Sequence, residues 1–403
     1  MKTLLPSLSF CRVSVRWGGL ALLALVLGGG VTAGAAPRAG ANPDATALSP
    51  DQIEHAAAVE DFRAGKVSEA EQAFRAIVKR SPGYVPARYD LAALLIGQGR
   101  LREGVAHYQF IATKLLPENA EAQRRYAVVL NRAQRVNEAI SQLERTLQLD
   151  PSHAKARHDL VKILLNSKDY MKAVSISDAG VKLHPEDASV HNDHGVVLMQ
   201  IGKPQEAVES FNQAVELDAQ HADAQYNMGL ALNEQWRLEE AIERLRTAIE
   251  LRPEYADAHY NLGKAFARNG DADAAQAALE KTLALQPSYY PAQYELGMLA
   301  KRAGDPRTAV RYFTEALRQS PGYVKAQYEL GAAMLELGRA KQAIPHFEGV
   351  LLNTPSNADA QLLLGRALAL SGDEQAARPH LLEALWLRPD SQQVRSELDA
   401  LND

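Results

Sequence analysis

Four histidines fall within one short stretch of the chain, and they are the residues whose side chains could do chemistry. His191 and His194 are three residues apart, with His184 and His221 on either side. A separation of three places His191 and His194 on one face of a helix, where two imidazoles could share a metal ion. However, the same two positions hold glutamine and methionine 34 residues later, on a face that would pack one helix against another. A structural role is therefore the better interpretation, and no metal site is predicted.

Catalytic motifs are missing from the sequence. Cys11 is the only cysteine, so no CxxC pair exists. The sequence has no G-x-x-x-x-G-K-[ST] loop, no G-x-G-x-x-G after a strand, no H-E-x-x-H and no G-x-S-x-G. A net charge of −5 argues against nucleic acid as the main partner. The chain is predicted to be non-enzymatic and to need no cofactor.

The elements that position these side chains come from an internal repeat. Residues 220–253 and 254–287 align without a gap, so that Asn227–Met228–Gly229 matches Asn261–Leu262–Gly263. A proline, or once an alanine, closes each repeat, and one extra residue falls near residues 114–116. A period in this range is typical of a solenoid, in which each repeat contacts only its neighbours. The ten closing positions are Pro82, Pro117, Pro151, Pro185, Ala219, Pro253, Pro287, Pro321, Pro355 and Pro389.

The pattern within each repeat resembles that of the tetratricopeptide repeat (TPR) family. Leucine and glycine recur in the first helix, alanine and phenylalanine or leucine in the second, and proline at the end. The resemblance implies an all-α, right-handed superhelix of about ten helix-turn-helix repeats over residues 50–389. In such an array the first helices line a concave groove and the second helices lie outside. A polar helix with one apolar stripe over residues 390–403 is predicted to cap the array.

Small residues recur where paired helices would have to approach closely. Glycine inside a helix costs about 1 kcal/mol relative to alanine, so glycines kept in register indicate a packing requirement. Repeat four is the most degenerate, since Ser177 and Gly180 stand where other repeats have larger apolar residues. It is therefore predicted to be a weak joint. The glycines are Gly195, Gly229, Gly263, Gly297, Gly331 and Gly365.

Prolines of the second helices are of two kinds. Pro204 and Pro306 fall at the first helical position, where the missing N–H group costs nothing. Pro345 and Pro379 fall about a turn further along. They are expected to start their helices late or to bend them.

Two adjacent rows of side chains are expected to face the groove that the resemblance implies. Asn227 and Asn261 resemble the asparagine ladder of the TPR array in O-linked N-acetylglucosamine transferase, where amides hold the backbone of an extended peptide. An amide offers both a donor and an acceptor, and a tyrosine beside it adds rigid contact area. The alternative is that these side chains join adjacent repeats. The candidate binding residues are Tyr226, Asn227, Tyr260, Asn261, Tyr294, Glu295, Tyr328 and Glu329.

The second of these rows is rich in acids. Asp90, Asp159 and Asp193 continue it toward the N-terminus, alongside Glu295 and Glu329. Carboxylates on a binding surface favour a basic or amine-bearing partner by charge complementarity. A basic peptide or protein is therefore the expected ligand.

The N-terminal segment has the features of a leader. Basic residues precede an apolar, glycine-rich stretch, and Ala33–Gly34–Ala35 gives a small-residue cleavage pattern. A signal peptide over residues 1–36 would export the protein to the periplasm or another extracytoplasmic space. The alternative is an uncleaved inner-membrane anchor, since residues 17–36 could nearly span a bilayer. Residues 37–49 are predicted to be a flexible linker.

Taken together, these features predict a non-enzymatic scaffold that binds peptide segments or partner proteins in the concave groove. The alternative is a structural component of a cell-envelope secretion, pilus or polysaccharide-export machine, which the family resemblance also allows.

Overall fold

The computed structural model describes residues 48–401, and 21 α-helices account for most of them. No strand occurs within this range. The predicted leader, nearly all of the linker and the last two residues lie outside it. The chain divides into two compact units between Pro185 and Glu186, directly after repeat four, which the sequence marks as the most degenerate.

Unit 1 contains repeats one to four, each a pair of helices. The helices are α1 (Pro50–Arg63), α2 (Val67–Arg80), α3 (Val85–Gly97), α4 (Leu101–Phe110), α5 (Ala120–Arg132), α6 (Val136–Leu149), α7 (Ala154–Asn166) and α8 (Tyr170–Leu183).

Unit 2 contains repeats five to ten and one final helix. The helices are α9 (Ala188–Gln200), α10 (Pro204–Leu217), α11 (Ala222–Glu234), α12 (Leu238–Leu251), α13 (Ala256–Asn269), α14 (Ala272–Leu285), α15 (Tyr290–Arg302), α16 (Pro306–Gln319), α17 (Val324–Glu336), α18 (Ala340–Asn353), α19 (Ala358–Leu370), α20 (Glu374–Leu387) and α21 (Gln392–Asp399).

The glycines of the first helices are required by packing, as the sequence predicts. A Cβ atom on Gly297 would lie 2.5 Å from Cε1 of Phe313, and one on Gly263 would lie 2.7 Å from Cγ of Leu279. Each facing residue lies on the second helix of the same repeat. Repeat four reverses the sizes, because Val161 stands at the glycine position and Ser177 at the facing position. The pair keeps its combined volume, which is what close-packed interiors require.

The turn between the two helices of every repeat contains one residue in the left-handed region. Seven of these residues are glycine, with φ between 71° for Gly338 and 89° for Gly372. Glycine adopts this backbone without the steric penalty that a Cβ atom adds. The other three are Gln134, Lys168 and Trp236, with φ of 60°, 61° and 59°.

The extra residue of repeat two is held in a π turn. Helix α4 continues into a π-helical segment at Ile111–Leu115, where the amide of Leu116 donates to the carbonyl of Ile111 at 2.8 Å. A π turn absorbs one residue without breaking the helix, so the next repeat begins in register.

Two prolines within second helices do not delay those helices. Pro345 and Pro379 lie inside α18 and α20, so the expectation that they start these helices late is wrong. Helix α18 begins at Ala340, the residue equivalent to Pro306 at the start of α16. Packing across the repeat therefore fixes where these helices begin, at the loss of one backbone hydrogen bond each.

The final helix caps the last repeat, as predicted. Its own N-terminus is capped by Ser391, whose hydroxyl accepts from the amide of Val394 at 3.4 Å. Val394 and Leu398 are 2% and 9% exposed and pack with Leu362 and Leu381 of repeat ten. The opposite side of α21 is polar, so the helix separates the apolar end of the array from water. Among the described helices, none is both long and apolar enough to cross a membrane.

Candidate functional site

The first helices of unit 2 form the face on which the candidate residues lie. Helices α9, α11, α13 and α15 contact one another in order, and α17 contacts α19. Each of α11, α13, α15 and α17 contributes a tyrosine that is followed directly by a polar residue. We call the surface carried by these four helices the first-helix face. The eight predicted site residues all belong to it.

The two asparagines use their amide hydrogens to join neighbouring repeats. Asn227 donates from Nδ2 to Oδ1 of Asn192 at 2.9 Å. Asn261 donates to the hydroxyl of Tyr226 at 3.0 Å and to the carbonyl of Asp257 at 2.9 Å. Within the described residues, Oδ1 of Asn227 and Oδ1 of Asn261 accept no hydrogen bond. The internal bonds thus hold each amide in place with its acceptor left for another group.

The tyrosines of the first-helix face are partly buried by a second set of tyrosines. The ring centroids of Tyr226 and Tyr255 are 4.8 Å apart, and those of Tyr260 and Tyr289 are 5.1 Å apart. Tyr294 lies 5.3 Å from Tyr323 in an edge-to-face arrangement. Such pairs stabilise the contact beyond the area that they bury. Each of these repeats is thereby joined to the next by an aromatic pair.

No role for this second set of tyrosines is predicted from the sequence, although their regular spacing is visible in it. Tyr255, Tyr289 and Tyr323 recur every 34 residues, and each occupies the position just before a first helix. The hydroxyl of Tyr289 donates to Oδ1 of Asp257 at 2.6 Å. Burial, followed by that hydrogen bond and charge, raises the pKa of Tyr289. The phenol therefore remains neutral and serves as a fixed donor.

Several acids of the polar row are neutralised inside the protein. Glu329 lies 2.7 Å from Nζ of Lys301. In unit 1, Asp90 lies 2.7 Å from Nε2 of His55, and Asp159 lies 2.8 Å from Nη1 of Arg124. A carboxylate in contact with Lys301 or Arg124 presents little net charge to a ligand, and the imidazole of His55 occupies one oxygen of Asp90. The negative charge of Asp159 and Glu329 is thus compensated inside the protein.

Glu295 lies among cations without a direct ion pair. Burial raises the pKa of Glu295, and the surrounding positive charges oppose that rise. Within the part of the chain that the structure describes, no carboxylate lies within ion-pair distance of any of these cations. We call the four of them the cation cluster: Lys264, Arg268, Arg302 and Lys325.

Two members of the cation cluster are fixed by contacts with helix α11 and with aromatic rings. Nζ of Lys264 lies 5.3 Å from the ring centroid of Tyr260, and burial lowers the pKa of Lys264. Arg268 donates from Nη1 to the carbonyl of Asn233 at 3.1 Å. Its Cζ lies 5.6 Å from the ring centroid of Trp236. The two ring contacts are cation–π interactions.

The histidines that open the sequence argument do not assemble a metal centre. His191 is buried at 8% exposure on α9. Across residues 48–401, no three side chains of the His, Cys, Asp and Glu types come together as metal ligands.

Family models match the repeats along almost the whole described chain. Those described as TPR repeat or tetratricopeptide repeat match residues 61–111, 89–154, 130–192, 195–235, 232–270, 256–289, 294–351 and 335–393. The chain belongs to the tetratricopeptide repeat family. None of the matching models describes a catalytic domain.

Several solved structures are similar to this TPR chain. The APC/C hetero-tetramer Cut9-Hcn1 matches at 15% identity, over 88% of this chain and 97% of that chain, with a TM-score of 0.46. MamA matches at 31% identity, over 41% and 97%, with a TM-score of 0.38. YrrB, described as a TPR protein with an unusual peptide-binding site, matches at 24% identity, over 49% and 96%, with a TM-score of 0.36. These TM-scores are too low to carry an argument about function. No curated protein matches the chain.

Proposed function

We propose that this TPR protein is a non-enzymatic scaffold that binds extended peptide segments of partner proteins on the first-helix face of repeats six to nine. The observation that carries the proposal is the arrangement of Asn227 and Asn261. Their N–H groups donate to neighbouring repeats, while their Oδ1 atoms accept nothing from the described residues. An acceptor fixed in this way suits a backbone N–H of an extended peptide.

The tyrosines support the same proposal by making the face rigid. A side chain that is already packed loses little conformational freedom when a ligand covers it. Tyr260 and Tyr294 are held against Tyr289 and Tyr323, and both keep part of their surface accessible. Burial raises the pKa of Tyr294 to about 12, so its hydroxyl remains a hydrogen-bond donor at neutral pH.

The expected preference for a basic partner has lost its main support. It rests on carboxylates of the polar row, and the structure pairs Asp159 and Glu329 with cations of the same chain and Asp90 with the imidazole of His55. Charge selectivity is therefore more strongly influenced by the cation cluster, whose members have no ion-pair partner among the described residues.

The experiment that tests the proposed function is affinity capture with matched variants. The face variant carries Asn227→Ala, Asn261→Ala and Tyr260→Ala. The outer control carries Glu243→Ala, Glu250→Ala and Lys281→Ala, which are exposed side chains of second helices. Circular dichroism melting first establishes that both remain folded, and Asn227→Ala alone replaces the face variant if it does not. A partner lost from the face variant and kept by the outer control supports the proposal, and a partner kept by both contradicts it.

The alternative, a structural part of a cell-envelope assembly, has one observation in its favour. Leu352 and Trp386 lie at equivalent positions of the last two second helices, at 85% and 74% exposure. Large apolar side chains this exposed are suited to a protein contact away from the first-helix face. A partner that is kept by the face variant but lost from Leu352→Ser/Trp386→Ser would favour this second function.

We also propose that the protein acts outside the cytoplasm, from the leader-like composition of residues 1–36. N-terminal sequencing of protein purified from its native host tests this. A new terminus near Pro37 in a soluble extracytoplasmic fraction supports cleavage, and an intact terminus in the membrane fraction supports the anchor. Recovery of the intact chain in the cytoplasm contradicts both.

A further inference from the structure

The backbone of Trp236 adopts a left-handed conformation that is unfavourable for a residue with a bulky side chain. Its φ is 59°, at the turn position where seven of the repeats have glycine. The left-handed region costs a residue with a Cβ atom about 1–2 kcal/mol. Burial does not offset this cost, because the side chain is 70% exposed. Gln134 and Lys168 share this backbone conformation, so it is the exposed aromatic ring at such a position that sets Trp236 apart and suits a contact with a partner.

The surroundings of Trp236 connect it to the cation cluster. Cζ of Arg268 lies 5.6 Å from its ring centroid, and Lys264 is one turn before Arg268 on α13. The ring, Arg268 and Lys264 therefore form one surface that joins the turn of repeat six to α13. This surface combines the exposed indole ring of Trp236, at the turn of repeat six, with neighbouring cations.

The cation cluster carries an excess of positive charge on an acidic protein. Glu234 lies near Lys264 and Arg268, and Glu295 lies near all four cations, so the cations of the cluster outnumber these two carboxylates. The chain as a whole has a net charge of −5. Lys301, the neighbouring cation on α15, is already paired with Glu329 at 2.7 Å. The charge of the cluster is thus available to a ligand, whereas the charge next to it is not.

Partial burial makes Lys264 an effective partner for an anion, whereas Arg268, Arg302 and Lys325 are exposed to solvent. Burial lowers the pKa of Lys264, with Glu295 opposing that effect. A cation that has already lost part of its hydration gains more from an anionic ligand than a fully solvated one does. Glu295, which lies near all four cations without a direct ion pair, reduces their mutual repulsion.

We infer that the first-helix face binds an acidic peptide segment that also carries an aromatic or other apolar side chain. The carboxylates of the segment pair with the cation cluster, and its apolar side chain covers the ring of Trp236. This inference rests on the proposed function and specifies the chemistry of its ligand. It reverses the basic partner expected from the sequence.

The test uses fluorescence anisotropy with the purified protein and four labelled peptides of about ten residues. The acidic probe alternates glutamate and glycine around one central phenylalanine. The basic and neutral probes replace glutamate with lysine or glutamine, and the fourth replaces the phenylalanine of the acidic probe with glycine. We expect the acidic probe to bind tightest, and its affinity to fall as salt concentration rises. Tighter binding of the basic probe, or affinity independent of salt, overturns the inference.

Matched variants locate the binding. Lys264→Gln/Arg268→Gln removes two charges from the cluster, and Lys281→Gln/Lys341→Gln removes two exposed charges from second helices. We expect the first variant to bind the acidic probe about tenfold more weakly than the second, which corresponds to about 1.4 kcal/mol. Equal binding by the two variants overturns the inference. Salt titration of the unmodified protein provides the test if the cluster variant does not fold.

Trp236→Gly separates the apolar contact from the charges. Glycine is the residue of most equivalent turns, so this variant is expected to fold. It should weaken binding of the acidic probe about three- to tenfold and leave the phenylalanine-free probe unaffected, since one aromatic contact is removed. An equal effect on both probes contradicts the role of the ring.

Failure of this inference differs from failure of the proposed function. If the acidic probe does not bind but a captured partner is still lost from the face variant, the ligand chemistry is wrong and the binding face stands. If neither the probe nor a captured partner depends on the first-helix face, both are wrong.

Discussion

Each glycine of the first helices in unit 2 faces one large side chain of the second helix sixteen residues later. Gly263 faces Leu279, with a virtual Cβ only 2.7 Å from Cγ and 3.2 Å from the carbonyl of Ala275. Gly263→Val therefore forces the helix pair apart, and we expect a loss of about 1–3 kcal/mol in the free energy of unfolding. Urea denaturation monitored by circular dichroism measures it.

Gly322→Ala is the control for that substitution. Gly322 has no heavy atom within 4 Å of a virtual Cβ and has no positive φ. Its replacement by alanine should leave the midpoint of urea denaturation nearly unchanged. If Gly263→Val unfolds at the same urea concentration as the unmodified protein, close packing does not explain the glycine at this position.

Two replacements of Trp236 that lose the same side-chain contacts allow the cost of its left-handed backbone to be measured. Trp236→Ala and Trp236→Gly both remove the ring and its contact with Arg268, so the two variants differ in the backbone preference at φ 59°. We expect Trp236→Gly to be more stable than Trp236→Ala by about 1 kcal/mol, as measured by urea denaturation. Greater stability of the alanine variant would mean that this turn is not left-handed in solution.

Glu71 gives a pH dependence with a defined direction. Burial favours its neutral form, but hydrogen bonds from Arg75, Gln98 and Arg100 outweigh burial and lower the pKa of the carboxyl to about 2. A lowered pKa stabilises the fold above the unfolded pKa of 4.5, and that stabilisation is lost as the pH falls toward about 2. We expect Glu71→Gln to reduce the free energy of unfolding by about 1 kcal/mol at pH 7.

Urea denaturation at a series of pH values checks this expectation. The difference between the unmodified protein and Glu71→Gln should shrink steadily below about pH 5. A difference that grows as the pH falls would contradict the assigned direction.

At the scale of helices, α21 closes the apolar end of repeat ten. Val394 and Leu398 are buried against Leu362 and Leu381, so deletion of residues 391–403 leaves the side chains of repeat ten facing water. We expect a lower melting temperature and self-association, measured by thermal melting and light scattering. Unchanged melting and solubility would contradict the capping role.

A charge placed on either side of α21 provides the matched comparison. Val394→Asp introduces a carboxylate at a site that is 2% exposed, whereas Gln393→Asp introduces the same charge on the exposed side. Only Val394→Asp should destabilise the protein, by several kcal/mol, because an unpaired charge would be buried.

The helices could be predicted well because the same local sequence pattern occurs in all ten repeats. The facing of each glycine by a large side chain, and the cap at Val394 and Leu398, follow from register alone. The ion pairs and electrostatic surroundings of individual side chains could not be predicted from the repeat pattern. The pairing of Asp159 with Arg124 at 2.8 Å depends on rotamers of neighbouring repeats. Most of the cations around Glu295 come from helices that are distant in sequence. The pattern of polar residues along the chain therefore does not predict them.

The same limit applies to Trp236 and to the prolines. The alignment of Trp236 with glycines is visible in the sequence, but its exposure and its contact with Arg268 are not. The local chemistry of Pro345 favours a delayed helix, whereas the packing of Ala343 and Phe347, both at 0% exposure, holds the helix in register. Tertiary packing therefore overrides local preference at this position.

At the scale of the whole molecule, unit 2 contains its own hydrophobic clusters, its cap and the complete candidate site. Because a repeat contacts only its neighbours, we expect residues 186–403 to fold without unit 1. Circular dichroism of this fragment should show high helicity and cooperative melting. A fragment that is unfolded or melts without cooperativity would contradict its independence.

The central claim is that partners bind on the first-helix face of repeats six to nine, and selection from a random peptide library tests it most directly. Peptides are selected on the immobilised protein and then measured against the face variant and the outer control. The account predicts that selected peptides lose binding to the face variant, keep binding to the outer control, and are enriched in Asp, Glu and aromatic residues. Peptides that bind the face variant as tightly as the unmodified protein would contradict it.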